Sequence, residues 1–478
     1  MTRPTAGQTE RMATKRRTLA ATIAVLGAAN VIVTIDFYGT NTALPSIIAE
    51  LGIGTDTDQW ISLAYLLALA APLVAAGRFA DLHGRRRVLM FGLAVLGGGQ
   101  LVSAFAQHEL ILLAGRAVSG FGGALVTATG LALVSAAAAP AQRATAIGAW
   151  SAIGAVGAAV GPLLGGVVTE VLSWRWFFAL AAPAAVLVGL AASALVPPSR
   201  DEHPPPSADV VGAVTSTAGL ALLVFAGTSG AQDGWFQRNI VIGLVAGAGF
   251  MVWFALAERR AAAPLVPAEI VRNRLFVLAG AVAFLSNAAF ATVMFFLTLY
   301  LQQVRNLGPT MTGVVFLALT VPLMALSPLL GRFVHRLGQA GVMATGMAVL
   351  VASFVVLGTL DATSGILLAI AGLALSGAGQ AFAFNGSNEA ALAEISDDDV
   401  GVASGAVNGI RQLGAVAGLA VTGALFDFLR RGEIEAGKGM AQSFTDALRP
   451  TMLFVAGICL LGAVLAAGAR RRRRATRP

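Results

Sequence analysis

Two carboxylates and two guanidiniums stand inside long apolar runs of this sequence: Asp36, Glu389, Arg116 and Arg411. Charged groups are costly in an apolar medium, and where they occur there they face an interior and find a partner. Burial of an unpaired carboxylate disfavours its charged form. Asp36, with Asn41 five residues on, is therefore suited to hold a proton or a cationic molecule, but not both at once. Such competition is the simplest physical basis for exchange. Arg116 stays charged at any working pH; flanked by small residues, it is expected to face an interior cavity and an acceptor. Glu389 and Arg411 are expected to pair with each other, either as structure or as part of a proton relay.

The segments that must position these groups are membrane helices. The chain is 57% hydrophobic and 12% charged with mean hydropathy +0.79, against roughly 25% charged for a soluble domain. Its apolar runs approach the ~20 residues that cross a ~30 Å hydrocarbon core as helix, and they lack the alternation of a lipid-facing strand. Fourteen such runs are expected. They divide the chain into an amino-terminal tail (1–17), a six-helix bundle (18–196), a linker (197–209), a two-helix insertion (210–256), a second linker (257–275), a second six-helix bundle (276–468) and a basic tail (469–478). Most of the 32 Lys and Arg residues fall in segments sharing a side with the amino terminus, which puts both termini in the cytoplasm.

Composition also excludes several classes. Cys459 is the only cysteine and the four histidines are placed in separate loops, so neither a disulfide nor a metal site is expected. Nothing resembles a phosphate-binding loop, a metalloprotease helix or a nucleophile elbow. No cofactor is expected, and energy must come from an ion gradient or the substrate's own gradient. The run Arg470 to Arg474 is read as holding the last helix against anionic lipid rather than nucleic acid. Asp36 and Asn41 break any leader-like apolar core, so the first run is read as a retained span.

A weak repeat links Gly77-Arg78-Phe79-Ala80-Asp81-Leu82-His83-Gly84 after the second run with Gly331-Arg332-Phe333-Val334-His335-Arg336-Leu337-Gly338 after the tenth. Parallel halves of this kind are a known transporter design. Asp81 at a helix end beside Arg85 and Arg86 would form a charge latch, whose making and breaking can bias a two-state equilibrium.

These segments resemble the major facilitator superfamily, and in particular its fourteen-helix drug:proton antiporters. Gly77 to Arg87 looks like the superfamily's loop signature, in which Gly77, Asp81, Gly84, Arg85 and Arg86 form the latch. Leu113 to Gly123 is similar to the fourth-helix motif, whose arginine, here Arg116, is implicated in proton coupling. Gly157, Gly161, Pro162, Gly165 and Gly166 fit the fifth-helix pattern Gly-x-x-x-Gly-Pro-x-x-Gly-Gly of antiporters, which implies export. Asp36, Asn41, Ala43, Leu44 and Pro45 match the first-helix motif, while Tyr38, Gly39 and Thr40 depart from its Thr-Val-Val. Asn408 to Gly414 resembles a recurrent Asn-x-x-Arg-Gln-x-Gly segment, and Trp174 to Phe178 the opening of the sixth helix, sufficiently explained as an aromatic interfacial anchor.

The resemblance implies a major facilitator fold of two six-helix bundles plus two central helices. It also implies proton-coupled efflux of amphipathic, cationic or neutral drug-like molecules by alternating access, from a monomer in the cytoplasmic membrane. An uptake symporter or facilitator of the same fold is the rival within the class. A membrane receptor or scaffold is the rival outside it.

Overall fold

A backbone in hydrocarbon must satisfy its hydrogen bonds internally, and the computed structural model does so with helices; among the described residues there is no strand. Those residues are 6–53, 59–199, 210–233, 237–260, 268–327, 330–395 and 400–475. The acidic loop Asp397 to Asp399, most of the first expected linker and residues 261–267 of the second lie outside them.

The first group of helices is α1 (Ala6–Leu51), α2 (Trp60–Ala70), α3 (Leu73–His83), α4 (Arg85–Ala104), α5 (Glu109–Ala137), α6 (Pro140–Val171) and α7 (Trp174–Leu195). Next come α8 (Val210–Asp233), α9 (Arg238–Arg260) and the short α10 (Ala268–Arg272). The last group is α11 (Arg274–Leu299), ending in a π-helical turn over Tyr300–Val304, then α12 (Pro309–Leu326), α13 (Leu330–Leu357), α14 (Ile366–Leu392), α15 (Val400–Glu435) and α16 (Met440–Ala475).

Local chemistry sets the ends. Ser173 accepts from the Arg175 amide at the start of α7, and Asn273 from the Leu275 and Phe276 amides at the start of α11, as N-cap residues do. Pro140 and Pro309 open α6 and α12, where a missing N–H costs nothing. Two departures from the expected spans follow equally local causes. The first run continues as helix to Leu51, with Pro45 inside it. The second breaks at Pro72 into α2 and α3, bent by 50°, because the proline ring cannot follow a regular preceding turn.

Each expected run contains helix, but among the described residues length and apolarity support ten crossings, or eleven if α2 and α3 form one bent span. Among the described residues, α6, α8 and α9 carry the shorter apolar stretches Val156–Val171, Val214–Leu223 and Arg238–Phe254. His83 closes α3 and His335 lies within α13, not in loops.

In the packing, α1 lies on α6, α4 on α5 and α7, and α2 on α5. In the last group α13 lies on α14 and α16, α11 on α15, and α12 on α14. The groups meet along α6 and α12, α2 and α15, and α1 and α11; α8 pairs with α9 and rests on α15. Outward faces are apolar: Val186, Leu187 and Leu190 on α7 are 61%, 66% and 62% exposed, a surface that suits lipid rather than water.

The repeat has a backbone counterpart. Gly84 and Gly338, its matched last glycines, both take positive φ, 97° and 71°, and each interrupts the helical path at the equivalent place.

Candidate functional site

The centre of the first group is an ion pair. Arg116 on α5 donates from Nη1 to Asp36 Oδ1 on α1 at 2.5 Å, and both side chains are buried. Arg116 Nε reaches the Ile61 carbonyl at 3.4 Å, and the guanidinium lies 4.4 Å from the Tyr65 ring centroid and 5.4 Å from that of Phe178. Tyr65 is fixed by its hydroxyl, which donates to the Val33 carbonyl at 3.0 Å. Thr40 donates to the Asp36 carbonyl at 2.6 Å.

The expected acceptor for Arg116 is thus present, but the expectation that Asp36 stands unpaired is corrected. A buried arginine needs a countercharge, and the α1–α5 packing supplies one. Satisfaction is incomplete, since Asp36 Oδ2 and Arg116 Nη2 have no hydrogen-bond partner.

Asn41 spends both ends of its amide on protein, donating to the Phe37 carbonyl and accepting from Ser62. Of the three positions that depart from the first-helix motif, Tyr38 lines a cavity between the groups. Gly39 admits the close approach of Phe177 and the Gly161 carbonyl, and Thr40 braces Asp36. The cavity, of about 40 Å³, is also lined by Phe37, Tyr65, Asn287, Phe290 and Gln412. Tyr38 and Phe290 meet edge to face across it, centroids 5.4 Å apart.

The expected Glu389–Arg411 pair does not form. Arg411 on α15 is buried and donates from Nη2 to Asn388 Oδ1 at 2.7 Å and to Ser387 Oγ at 3.4 Å, with its guanidinium 3.9 Å from the Phe384 ring centroid. Glu389 is exposed. Successive helical residues point about 100° apart, so Asn388 and Glu389 cannot both face α15. Asn385, which shares a face with Asn388, does turn inward and donates to Ser327. That i, i+3 spacing was the available signal.

The latch residues divide. Asp81 accepts from Arg85 Nε at 2.7 Å. Arg86 instead donates to the Ser193 and Val196 carbonyls, fastening the start of α4 to the end of α7. Gly84 holds the turn between α3 and α4 with its positive φ, whereas Gly77 has open space where a side chain would go.

On α6 the glycines are contact points. A side chain on Gly157 would overlap Thr34, one on Gly161 would crowd Tyr38, and one on Gly165 would overlap the Gly39 carbonyl and Thr42. Gly166 meets Pro309 at the start of α12, and Gly313 of α12 meets Pro162 and Leu163. The Pro162 carbonyl accepts from the Thr42 hydroxyl at 3.1 Å.

Sequence reasoning missed the bonds that join the two groups at the end remote from the amino terminus. Glu170 accepts from the Thr310 amide at 2.9 Å and Gln302 donates to the Thr42 carbonyl at 2.8 Å. Gln59 donates to Asp427 at 3.4 Å. At the same end Trp174 is buried, donating to Glu50 at 2.7 Å beside an Arg175–Glu50 ion pair, while Trp176 is exposed.

Comparison with known proteins places this geometry in context. The model of the Major Facilitator Superfamily matches residues 26–419 and 279–478. The cephamycin export protein CmcT of Amycolatopsis lactamdurans is 32% identical over 96% of this chain and 95% of that protein. The puromycin resistance protein pur8 of Streptomyces alboniger is 32% identical over 93% and 90%. Among solved structures, the POT family transporter PepTSo superposes with a TM-score of 0.67 at 15% identity, covering 95% of this chain and 99% of that one, a likeness of fold alone.

Proposed function

We propose, since the chain belongs to the Major Facilitator Superfamily, that this multi-pass membrane protein is a drug:proton antiporter. In this reading it exports amphipathic drug or antibiotic molecules by alternating access. The printed names of its relatives, which speak of cephamycin export and puromycin resistance, support efflux over uptake. Fourteen crossings with both termini cytoplasmic, the seven segments set out above and a monomer with no cofactor complete the proposal.

The observation that carries it is the buried Asp36–Arg116 bond beside the cavity that Tyr38 and Tyr65 line. A proton arriving on the carboxyl removes the countercharge of the guanidinium, so the pair loses its attraction while Arg116 keeps its charge. The freed arginine then demands a new arrangement of α1 and α5, a differential interaction of the sort that shifts a two-state equilibrium. Proton uptake from the outer side and release to the cytoplasm would thus drive one rocking cycle. With the amino terminus cytoplasmic in this reading, the bonded end is the outer one, and those bonds hold it closed.

The test is a drug-susceptibility panel in a pump-deficient host, with export measured in inverted vesicles under an imposed pH gradient. The intact protein should protect against at least one compound and move it against its gradient, and Asp36→Asn should do neither. Equal protection by both against every compound sinks the assigned coupling.

A further inference from the structure

Charge balance across the two groups is unequal. Asp36 neutralises Arg116, whereas among the described residues no carboxylate lies within ion-pairing distance of Arg411, which is 5% exposed. Both acceptors at its Nη2, Asn388 Oδ1 and Ser387 Oγ, are neutral, and its Nε is buried without any hydrogen-bond partner. A guanidinium so placed is under-satisfied, because its desolvation is not repaid by a countercharge.

Its surroundings belong to the interface between the groups. Asn287, which lines the central cavity, donates to the Arg411 carbonyl at 3.0 Å, and Gln412, the next residue, lines the same cavity. Aromatic faces stand close by, Phe384 against the guanidinium and Phe290 against Tyr38.

From this geometry we infer that Arg411 is an anion subsite, so that the exported molecule carries a carboxylate or similar oxyanion attached to an apolar or aromatic body. The inference rests on the export reading above and narrows its substrate class, away from the cationic cargo that an unpaired Asp36 would have favoured. An oxyanion supplies the missing countercharge and an acceptor for Nε, and arginine is the side chain whose planar fork matches such groups. The body of the molecule would lie against the cavity's aromatic lining, Tyr38 and Phe290, once the cavity widens in the transport cycle, since it holds only about 40 Å³ in this state. Asn388 and Ser387 act as positioning residues that hold the guanidinium while the site is empty.

The test uses the full chain in phosphatidylcholine vesicles free of anionic lipid, with three probes of similar size: dansylphenylalanine, its methyl ester and the cation dansylcadaverine. Binding is read by dansyl fluorescence and export by accumulation under an imposed pH gradient. The acid should bind about tenfold or more tightly than the ester, a difference of about 1.4 kcal/mol or more. Arg411→Gln should bring the acid down to the ester's affinity and leave the ester unchanged, while Arg411→Lys should keep part of the preference.

An acid that binds no better than its ester, or a preference for dansylcadaverine, overturns the inference with wild-type protein alone. An Arg411→Gln variant that weakens all three probes equally assigns the residue a structural role and overturns it as well. Loss of the acid preference when phosphatidylglycerol is added assigns the site to a lipid headgroup instead. If probes bind with the stated preference yet none accumulates, the export reading fails while the anion subsite stands.

Discussion

Asp36 and Arg116 hold each other across the α1–α5 interface at 2.5 Å, with side chains 1% and 0% exposed. A buried pair of this kind contributes little net stability, yet removing one member leaves a bare charge at a cost on the order of 3–5 kcal/mol. Asp36→Asn should therefore lower the melting temperature sharply as well as abolish gradient-driven export. The double variant Asp36→Asn/Arg116→Gln, neutral on both sides, should recover most of the melting temperature and none of the export. Thermal unfolding in detergent and vesicle transport on the same preparations check both halves. Export by the double variant at the wild-type rate would refute the coupling role.

Glycines that share one motif separate into those with a steric duty and those without. Gly84 has φ 97° and ψ 115°, a region essentially closed to other residues, so Gly84→Ala should cost about 1–3 kcal/mol. Gly77 meets nothing within 4 Å, and Gly77→Ala should stay within about 0.5 kcal/mol of wild type. Gly165→Ala must displace the Gly39 backbone, and overpacking of that sort costs roughly 1–3 kcal/mol. Melting temperatures of the three variants, ranked Gly77→Ala above the other two, are the check.

How far the sequence was legible depends on the range of the interaction. Hydropathy is summed over a whole span, so the helical positions could be read directly. Arg116 could be assigned an interior acceptor because no arginine is stable in hydrocarbon without one. That the acceptor is Asp36, eighty residues earlier, is a matter of which helices touch, which no local pattern encodes. Glu389 was misassigned because charge type outweighed helical phase, although the Asn385 and Asn388 spacing held the right face. Backbone acceptors such as the Thr42 and Ile61 carbonyls are invisible in a sequence, since every residue has one.

The turn between α13 and α14 offers a pH test outside the membrane. Asp361 Oδ1 accepts from the Thr363 hydroxyl and amide at 2.8 and 2.7 Å, and the Ser364 hydroxyl accepts from the Asp361 amide at 2.9 Å. The Thr363 hydroxyl first, and then its amide, hold the Asp361 carboxyl below its ordinary value. A depressed carboxylate stabilises the fold above its unfolded value, and that contribution is lost as pH falls through the lower folded value. Acidification to roughly pH 5 should leave the turn intact, with loss only below the ordinary aspartate range. Amide exchange at Thr363, corrected for intrinsic rate, should be flat down to that range and should rise throughout in Asp361→Ala.

The closed end gives the last prediction. Glu170 docks on the amide of Thr310 at the start of α12, where the helix dipole favours an anion. Gln302 ties the π-helical end of α11 to the Thr42 carbonyl of α1. Both bonds cross between the helix groups and must break if that end opens. Glu170→Ala/Gln302→Ala should then move the equilibrium toward opening of that end, which the proposed topology places outside. A cysteine placed at Ala291, which lines the central cavity, reports the change, because Cys459 is buried and stays silent. Its labelling by a membrane-impermeant maleimide added outside should be slow in an otherwise wild-type background and faster in the double variant. An unchanged rate would mean that these two bonds do not hold that end shut.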